Sequence, residues 1–338
     1  MKINVDYSLD SMNQIGMMNS WHKFWKEAFE KEIPSFDRKE IEKIIFIGMG
    51  GSAIAGNYIS AVFSNYDVDL IVHKNYGLPK TRLSKKSLII ASSYSGNTEE
   101  TISGVLKAKT LDLPMVIIST GGEMEKISNK YNIPFVSLPK GLAPRASLAA
   151  MLPISGQIVQ ETLSYPKEFR KGFSGELEKI AKKQPSPFVE KIIDSLKNTL
   201  PIILGAEHTF IVGLRFRAQL NENSKKHAFS FELPEHNHNA IVPIGIDLNE
   251  LIHHVLIIDK KRLPERINYR FEFIKKFLEE KKLENTTIEM PNNGTKIEDM
   301  LKTTYELDYA SIFLALIRKI DPNPVETITK LKEYLSLK

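Results

Sequence analysis

The 338-residue chain has no cysteine. That excludes disulfides, thiolate metal sites and a cysteine nucleophile at once. Long apolar runs are also missing. Those around Ile44–Ile47 and Leu88–Ala91 are strand length, far short of the roughly 20 residues that span a bilayer. The opening MKINVDYSLDSMNQIGMMNSWHKFWKEAFEKE lacks the unbroken apolar core of a secretory signal, so a cytoplasmic protein with no membrane association is expected. No GxxxxGK[ST] segment occurs, which disfavours nucleoside triphosphate hydrolysis. Nor is there a strong excess of one charge. Lys and Arg number 46 against 41 Asp and Glu, a net charge of +5. Mixed-sign runs such as EFIKKFLEEKKLE read as solvated helix faces rather than a nucleic-acid surface. A mildly positive field suits a small anionic substrate.

What is present fits an ordinary globular protein. Hydrophobic residues make up 42% and charged ones 26%, and the length suits two α/β domains. Residues 1–36 read as an amphipathic helical segment, with Trp21, Phe24, Trp25, Ala28 and Phe29 at helical spacing. IEKIIFIGMGGSAIAGNYISAVF then reads as a buried strand, a glycine turn and a helix. VDLIVHK, SLIIASS, LPMVIIST and IPFVSLP are further strands, with helices between them. The charged, proline-containing stretch KEFRKGFSGELEKIAKKQPSPF marks a linker. A second series opens at PIILGAEHTFIVGLRF, in the place that IIFIGMGGSAIAGNYI holds in the first. The predicted organisation is a helical segment over 1–36, a first domain over 37–163, a linker helix over 164–190 and a second domain over 191–338. Each domain is expected to be a doubly wound α/β unit with a parallel sheet flanked by helices.

Ligands of such sheets bind beyond the carboxyl ends of the strands. Two loops of the first half fall there, GMGGSA from Gly48 to Ala53 and SSYSGNTEET from Ser92 to Thr101. Glycines let the backbone approach an anion, and a helix start supplies free N–H groups. The hydroxyls of Ser52, Ser93, Ser95 and Thr98 add donors suited to phosphate oxygens. Helix capping alone would explain one such loop. Two in register favour phosphate. Gly48, Gly50 and Ala53 also fit a dinucleotide fingerprint. The next strand, however, ends in His73 and Lys74 instead of the acidic residue that would hold a ribose, which argues against an NAD(P)-dependent oxidoreductase. His236 and His238 form an HxH pair with no third ligand at recognisable spacing, so no metal is expected. His253 and His254 precede the strand VLIID and are assigned a structural role.

The SSYSGNTEET loop resembles the phosphate loop of sugar-isomerase (SIS) domains. Downstream come PRASL at Pro144–Leu148, NENSK at Asn221–Lys225, LPEHNHNAIV at Leu233–Val242 and DPNPVETITKLK at Asp321–Lys332. Together, in this order, they resemble the bifunctional phosphoglucose/phosphomannose isomerase family from about Ile44 to Lys332. The resemblance implies two SIS-type domains, no cofactor, a hexose 6-phosphate substrate and a homodimer. It also implies interconversion of glucose and mannose 6-phosphates with fructose 6-phosphate through a cis-enediol, without a metal. Gly51, Ser52, Ser93, Ser95 and Thr98 would hold the phosphate. Glu222 would move the proton, Arg145 would face the enediolate, and His238 would open the sugar ring across a dimer interface. Lys332, or else Lys330, would assist near the ring oxygen.

The chain departs from the family's usual NHNEI by carrying Ala240 where a glutamate is common. Taken singly, Glu222 and Arg145 would read as surface charges and His238 as a loop histidine. The competing function is a non-catalytic sugar-phosphate-binding protein of the same fold. Residues 1–36 are too few for the DNA-binding domain that such regulators carry.

Overall fold

In a computed structural model the structure describes residues 5–247 and 250–337. In chain order the elements are α1 (Gln14–Asn19), α2 (Trp21–Ala28), β1 (Lys43–Ile47), α3 (Gly50–Val62), β2 (Asp69–His73), β3 (Ser87–Ser93), α4 (Glu99–Thr110), β4 (Met115–Ser119), α5 (Gly122–Tyr131), β5 (Phe135–Ser137), α6 (Leu148–Thr162) and α7 (Phe173–Ala181). There follow α8 (Pro187–Leu196), β6 (Leu200–Gly205), α9 (Glu207–Glu222), β7 (Phe229–Glu232), β8 (Ile252–Ile258), α10 (Glu265–Glu280), β9 (Asn285–Glu289), α11 (Lys296–Ile317) and α12 (Glu326–Ser336).

The chain divides into two compact units. The N-terminal unit holds Asn19–Lys182 together with Asn293–Asp299. The C-terminal unit holds the described residues of 1–18, 183–292 and 300–338. The residues that the sequence groups as 1–36 are thus shared between units, α1 in one and α2 in the other. The stretch 164–190 carries α7 and the start of α8.

The N-terminal unit is built on a five-stranded sheet of order β2-β1-β3-β4-β5, every pairing parallel. β1 (KIIFI) and β3 (SLIIASS) run through its middle with their apolar residues buried, as strands covered by helices on both faces require. α6 is buried along nearly its whole length and packs against α2 and α3. The helical spacing of α2 is realised by burial of Trp21, Trp25 and Ala28. Trp25 packs edge-on to Phe173, with ring centres 5.2 Å apart, and stacks on Phe169 at 6.3 Å.

The C-terminal unit repeats the plan on four strands in the order β7-β6-β8-β9, again all parallel. Its core gathers Leu204, Leu256 and Ile258 from the sheet with Phe271, Ile274 and Leu278 from α10. His253 and His254 lie inside β8 rather than before it, and both are buried. His253 Nε2 sits 2.9 Å from Thr286 Oγ1 on β9, which offsets part of the cost of burying an imidazole in a central strand.

Candidate active site

In both sheets the first strand is flanked by the second on one side and the third on the other. The crevice at this reversal is where the loops after those strands open outward. In the N-terminal unit these are the turn from β1 to α3 and the turn from β3 to α4.

The two turns are fastened together. Ser52, in the first turn of α3, accepts the Tyr94 backbone N–H on its hydroxyl at 3.2 Å. Ser93 and Thr98 share a hydrogen bond between hydroxyls 2.8 Å apart. Ser93 Oγ also accepts the Gly96 N–H at 3.2 Å. Gly96 stands at φ 71°, and a Cβ there would lie 1.8 Å from the Gly121 carbonyl oxygen, so only glycine closes this turn. Ser95 is exposed and accepts the Asn97 N–H at 3.2 Å. Neither helix start is capped by a side chain. Met49 is the cap residue of α3, and Thr98, the cap residue of α4, makes no capping hydrogen bond. The hydroxyls are thus not consumed by capping, and the first-turn N–H groups remain suited to an anion.

Arg145 joins this cluster. It sits in a one-turn helix over Pro144–Ala146 and is 5% exposed. A Cβ on Gly51 would lie 2.8 Å from the Pro144 carbonyl oxygen and 3.2 Å from Arg145 Cα, so glycine at 51 is what lets the two segments touch. The approach to Pro144 is braced by Tyr94. Its phenol donates to the Pro139 carbonyl at 2.9 Å and accepts the Leu142 N–H at 2.7 Å. Gly51, Ser52, Ser93, Thr98 and the Arg145 backbone therefore converge, and Ser95 lies at their exposed edge. Tyr94 went unnoticed in the sequence; its place between two serines of the loop was the available signal.

In the C-terminal unit, Glu222 is the last residue of α9 and half-buried. It lines a cavity of about 790 Å³ with Lys226, Asp321, Val325 and Ile328 among its neighbours. Lys225, at φ 50°, donates to the Glu222 carbonyl at 2.6 Å and to the Pro322 carbonyl at 3.0 Å, tying the helix end to the opposite wall. Asn223 Nδ2 donates to Ser311 Oγ at 2.9 Å, and Ser224 Oγ to the Ser311 carbonyl at 2.6 Å. Burial, with the Arg318 charge nearby, pushes the Lys226 ammonium below the ordinary lysine range. The bracing role of Lys225 was missed in the sequence, although NENSK contains it.

His238 and Lys332 lie elsewhere. His238 ends a one-turn helix over Glu235–His238, and its side chain is exposed and outside the lining of the Glu222 cavity. Lys332 and Lys330 are exposed on α12, beyond the Val325–Ile328 stretch that lines that cavity. His236 is buried while His238 is not, so the HxH pair does not share one environment. Among the described residues no group of three or more His, Asp or Glu is placed to hold a metal ion. Burial lowers the His236 pKa to about 4. His254 is likewise held at about 4 by burial, and then by the neighbouring His236 and His253. Among the described residues no helix is long and apolar enough to cross a membrane.

Comparison with known families agrees with this duplicated plan. Residues 39–133 match the SIS domain, and residues 189–335 match the bacterial phospho-glucose isomerase C-terminal SIS domain. The chain is thus a protein of two sugar-isomerase domains. Solved structures share the fold at low identity. The C-terminal domain of glucosamine-fructose-6-phosphate aminotransferase from Francisella tularensis is 15% identical, with a TM-score of 0.67 over 91% of this chain and 96% of that one. Glucosamine-6-phosphate deaminase from Thermotoga maritima is 15% identical, with a TM-score of 0.64 over 92% of this chain and 96% of that one. Among curated proteins, the bifunctional phosphoglucose/phosphomannose isomerase of Caldicellulosiruptor bescii is 31% identical over 319 residues, covering 88% of this chain and 91% of that protein. The protein so named in Aquifex aeolicus is 28% identical, covering 91% of this chain and 94% of its own length. The chain belongs to the bifunctional phosphoglucose/phosphomannose isomerase family. A D-glucosamine-6-phosphate 4-epimerase of Sulfolobus acidocaldarius is also similar, 28% identical over 65% of this chain and 69% of that protein.

Proposed function

We propose that the chain is an aldose–ketose isomerase that interconverts glucose 6-phosphate and mannose 6-phosphate with fructose 6-phosphate. The observation that carries this reading is the N-terminal cradle, in which Gly51, Ser52, Ser93 and Thr98 crowd two uncapped helix starts beside the buried Arg145. Such a cradle suits a phosphate dianion. Residues 37–163 supply this half of the chemistry, 164–190 connect, and 191–338 supply the base.

The reaction moves a proton between C1 and C2 and leaves the sugar's overall oxidation state unchanged. It therefore needs no external electron acceptor, and the proposed mechanism uses neither cofactor nor metal. Glu222 removes the C2 proton of an open-chain aldose phosphate and returns it to C1 of the enediol, while a proton passes from O2 to O1, giving the ketose. Arg145 holds the oxygen on which negative charge develops. Glucose and mannose 6-phosphates differ only at C2 and yield one enediol, so a single base serves both once the C2–C3 bond rotates before C2 is reprotonated. Ser95 completes the phosphate contacts from the exposed edge of the turn. His238, exposed on its loop with Val242 and Ile246 exposed nearby, is assigned to ring opening in a second copy of the chain, within a homodimer. Lys332 on the exposed α12 would act near the ring oxygen. Hexose phosphates are anions that do not cross membranes unaided, which puts the work in the cytoplasm.

A coupled assay run from fructose 6-phosphate in EDTA tests this reading. Turnover to both aldose phosphates is expected to persist in the chelator. Glu222→Gln is expected to lower kcat by about 10²–10⁴-fold with an unchanged circular dichroism spectrum. Full activity in that variant would remove Glu222 from the mechanism.

A further inference from the structure

The two units repeat each other at the crevice, down to single backbone angles. A Cβ on Gly48 would lie 3.3 Å from Ala53 N, and one on Gly205 would lie 2.6 Å from Phe210 N, the fifth residue on in each case. The helix caps that follow, Met49 and Ala206, are both extended, at φ −125° and −141°. The next residues, Gly50 and Glu207, are both left-handed, at φ 48° and 47°. This pairs Gly51 with His208 and Ser52 with Thr209.

The second turn pairs in the same way. Counting back five residues from the caps Thr98 and Pro264 reaches Ser93 and Asp259. Gly96 N–H lies 3.2 Å from the Ser93 carbonyl oxygen and 3.2 Å from its Oγ. Arg262 N–H lies 3.3 Å from the Asp259 carbonyl oxygen and 3.1 Å from its Oδ1.

On this shared backbone the side chains differ in kind. Positions 51 and 93 carry a hydrogen and a hydroxyl, whereas 208 and 259 carry an imidazole and a carboxylate. His208 Nε2 is 2.9 Å from Asp259 Oδ2, and both residues are buried, at 2% and 0% exposure. Arg262 Nη1 donates to the same oxygen at 3.0 Å and to Asn292 Oδ1 at 3.2 Å. Burial opposes charge on Asp259, but the hydrogen bonds from His208 and Arg262 outweigh it and hold the carboxyl at about 2. A permanent anion therefore stands in the C-terminal crevice, ringed by a backbone N–H, an imidazole and a guanidinium.

We propose that the Asp259 carboxylate is a built-in counter-anion. It fills, in the C-terminal unit, the place that the substrate phosphate takes in the N-terminal one, so each chain binds one phosphate. Its removal would open a second anion site on Arg262 and His208. The comparison rests on the phosphate role given to the Ser93 turn, but the contacts invoked all belong to the C-terminal unit.

Inorganic phosphate is the probe. Calorimetric titration of the full chain in chloride buffer is expected to count one phosphate per chain for the wild type and two for Asp259→Ala. In thermal melts, Asp259→Ala should gain about 3–6 °C beyond the wild type's own response at a tenfold excess over Kd. The added site should vanish in Asp259→Ala/Arg262→Ala. Equal stoichiometry in wild type and Asp259→Ala would overturn the proposal, as would an added site indifferent to Arg262. A wild type that binds none beside an Asp259→Ala that binds one would refute the role of the Ser93 turn, and with it the count of one phosphate per chain, while supporting Asp259 as the group that closes the C-terminal crevice to anions. If Asp259→Ala is insoluble, its refolding yield decides. Recovery in phosphate but not in chloride supports the closed crevice, and equal yields in both refute it.

Discussion

Acidifying the protein from pH 7 to pH 5 should cost the C-terminal unit stability, and two histidines alone account for about 4 kcal/mol of the loss, to which the buried His253 adds in the same direction. His236 and His254 are 2% and 3% exposed, and the Nδ1 of each has no hydrogen-bond partner among the described residues. Both are held neutral in the fold, with pKa about 4 against an ordinary value of 6.5. The unfolded chain therefore binds protons that the folded chain refuses. Stability is full above pH 6.5, falls by about 1.4 kcal/mol per pH unit per group below it, and stops falling near pH 4. At pH 5 each group has cost about 2 kcal/mol, and by pH 4 the pair has cost about 6 kcal/mol, comparable to the entire stability of many domains. Urea melts at pH 5, 6 and 7, followed by circular dichroism, read this slope directly, because most carboxylates titrate below the window. His254→Gln removes one of these groups and should lower the slope by about 1.4 kcal/mol per pH unit, whatever it costs at pH 7. A wild type whose stability is level from pH 7 to pH 5, or a variant with the wild-type slope, would refute the reasoning.

Two substitutions in the N-terminal turn separate affinity from folding. Ser93→Ala removes a hydroxyl that braces Thr98 and accepts the Gly96 N–H; it should raise KM for fructose 6-phosphate by about 10–100-fold, the worth of a hydrogen bond to a charged group, while kcat changes little. Gly96→Ala forces a Cβ to 1.8 Å from a backbone oxygen at a left-handed residue, so it should lower Tm by about 6–12 °C, equivalent to roughly 3 kcal/mol.

Much of the fold could be read from the chain because parallel strands buried on both faces write themselves as unbroken apolar runs. KIIFI and SLIIASS are such runs, and α2 carries its 3.6-residue period openly in Trp21, Trp25 and Ala28. His253 and His254 break the rule: the sequence reads them as preceding β8, since nothing local announces that Thr286 on the next strand will meet one of them. Arg145 alone would pass for a surface charge; its burial follows from Gly51 and Tyr94, which lie far from it in sequence. The position of Glu222 at the end of α9 was readable, but not the clamp from Lys225, which depends on the Asp321–Pro324 turn about a hundred residues on. Motifs locate chemistry along the chain, whereas burial and bracing depend on which distant segments fold back upon them.

The repeat between the units shows the same division more sharply. IIFIGMGGSAIAG and PIILGAEHTFIVG share few residues, so the duplication is faint as text. It is plain as backbone, where a left-handed residue falls at the same step after each first strand although one is glycine and the other glutamate. Glutamate bears a cost at φ 47° that glycine does not. Retaining that angle with the wrong residue type indicates that the turn geometry is imposed by the strand–helix packing around it and not by Glu207 itself. Freed from holding a phosphate, the positions lining the C-terminal crevice could take side chains that a ligand would have excluded, and His208, Asp259 and Arg262 are such a set. On this argument the two crevices differ in what they hold and not in how they are built, and exchanging one carboxylate for a methyl group is enough to distinguish them.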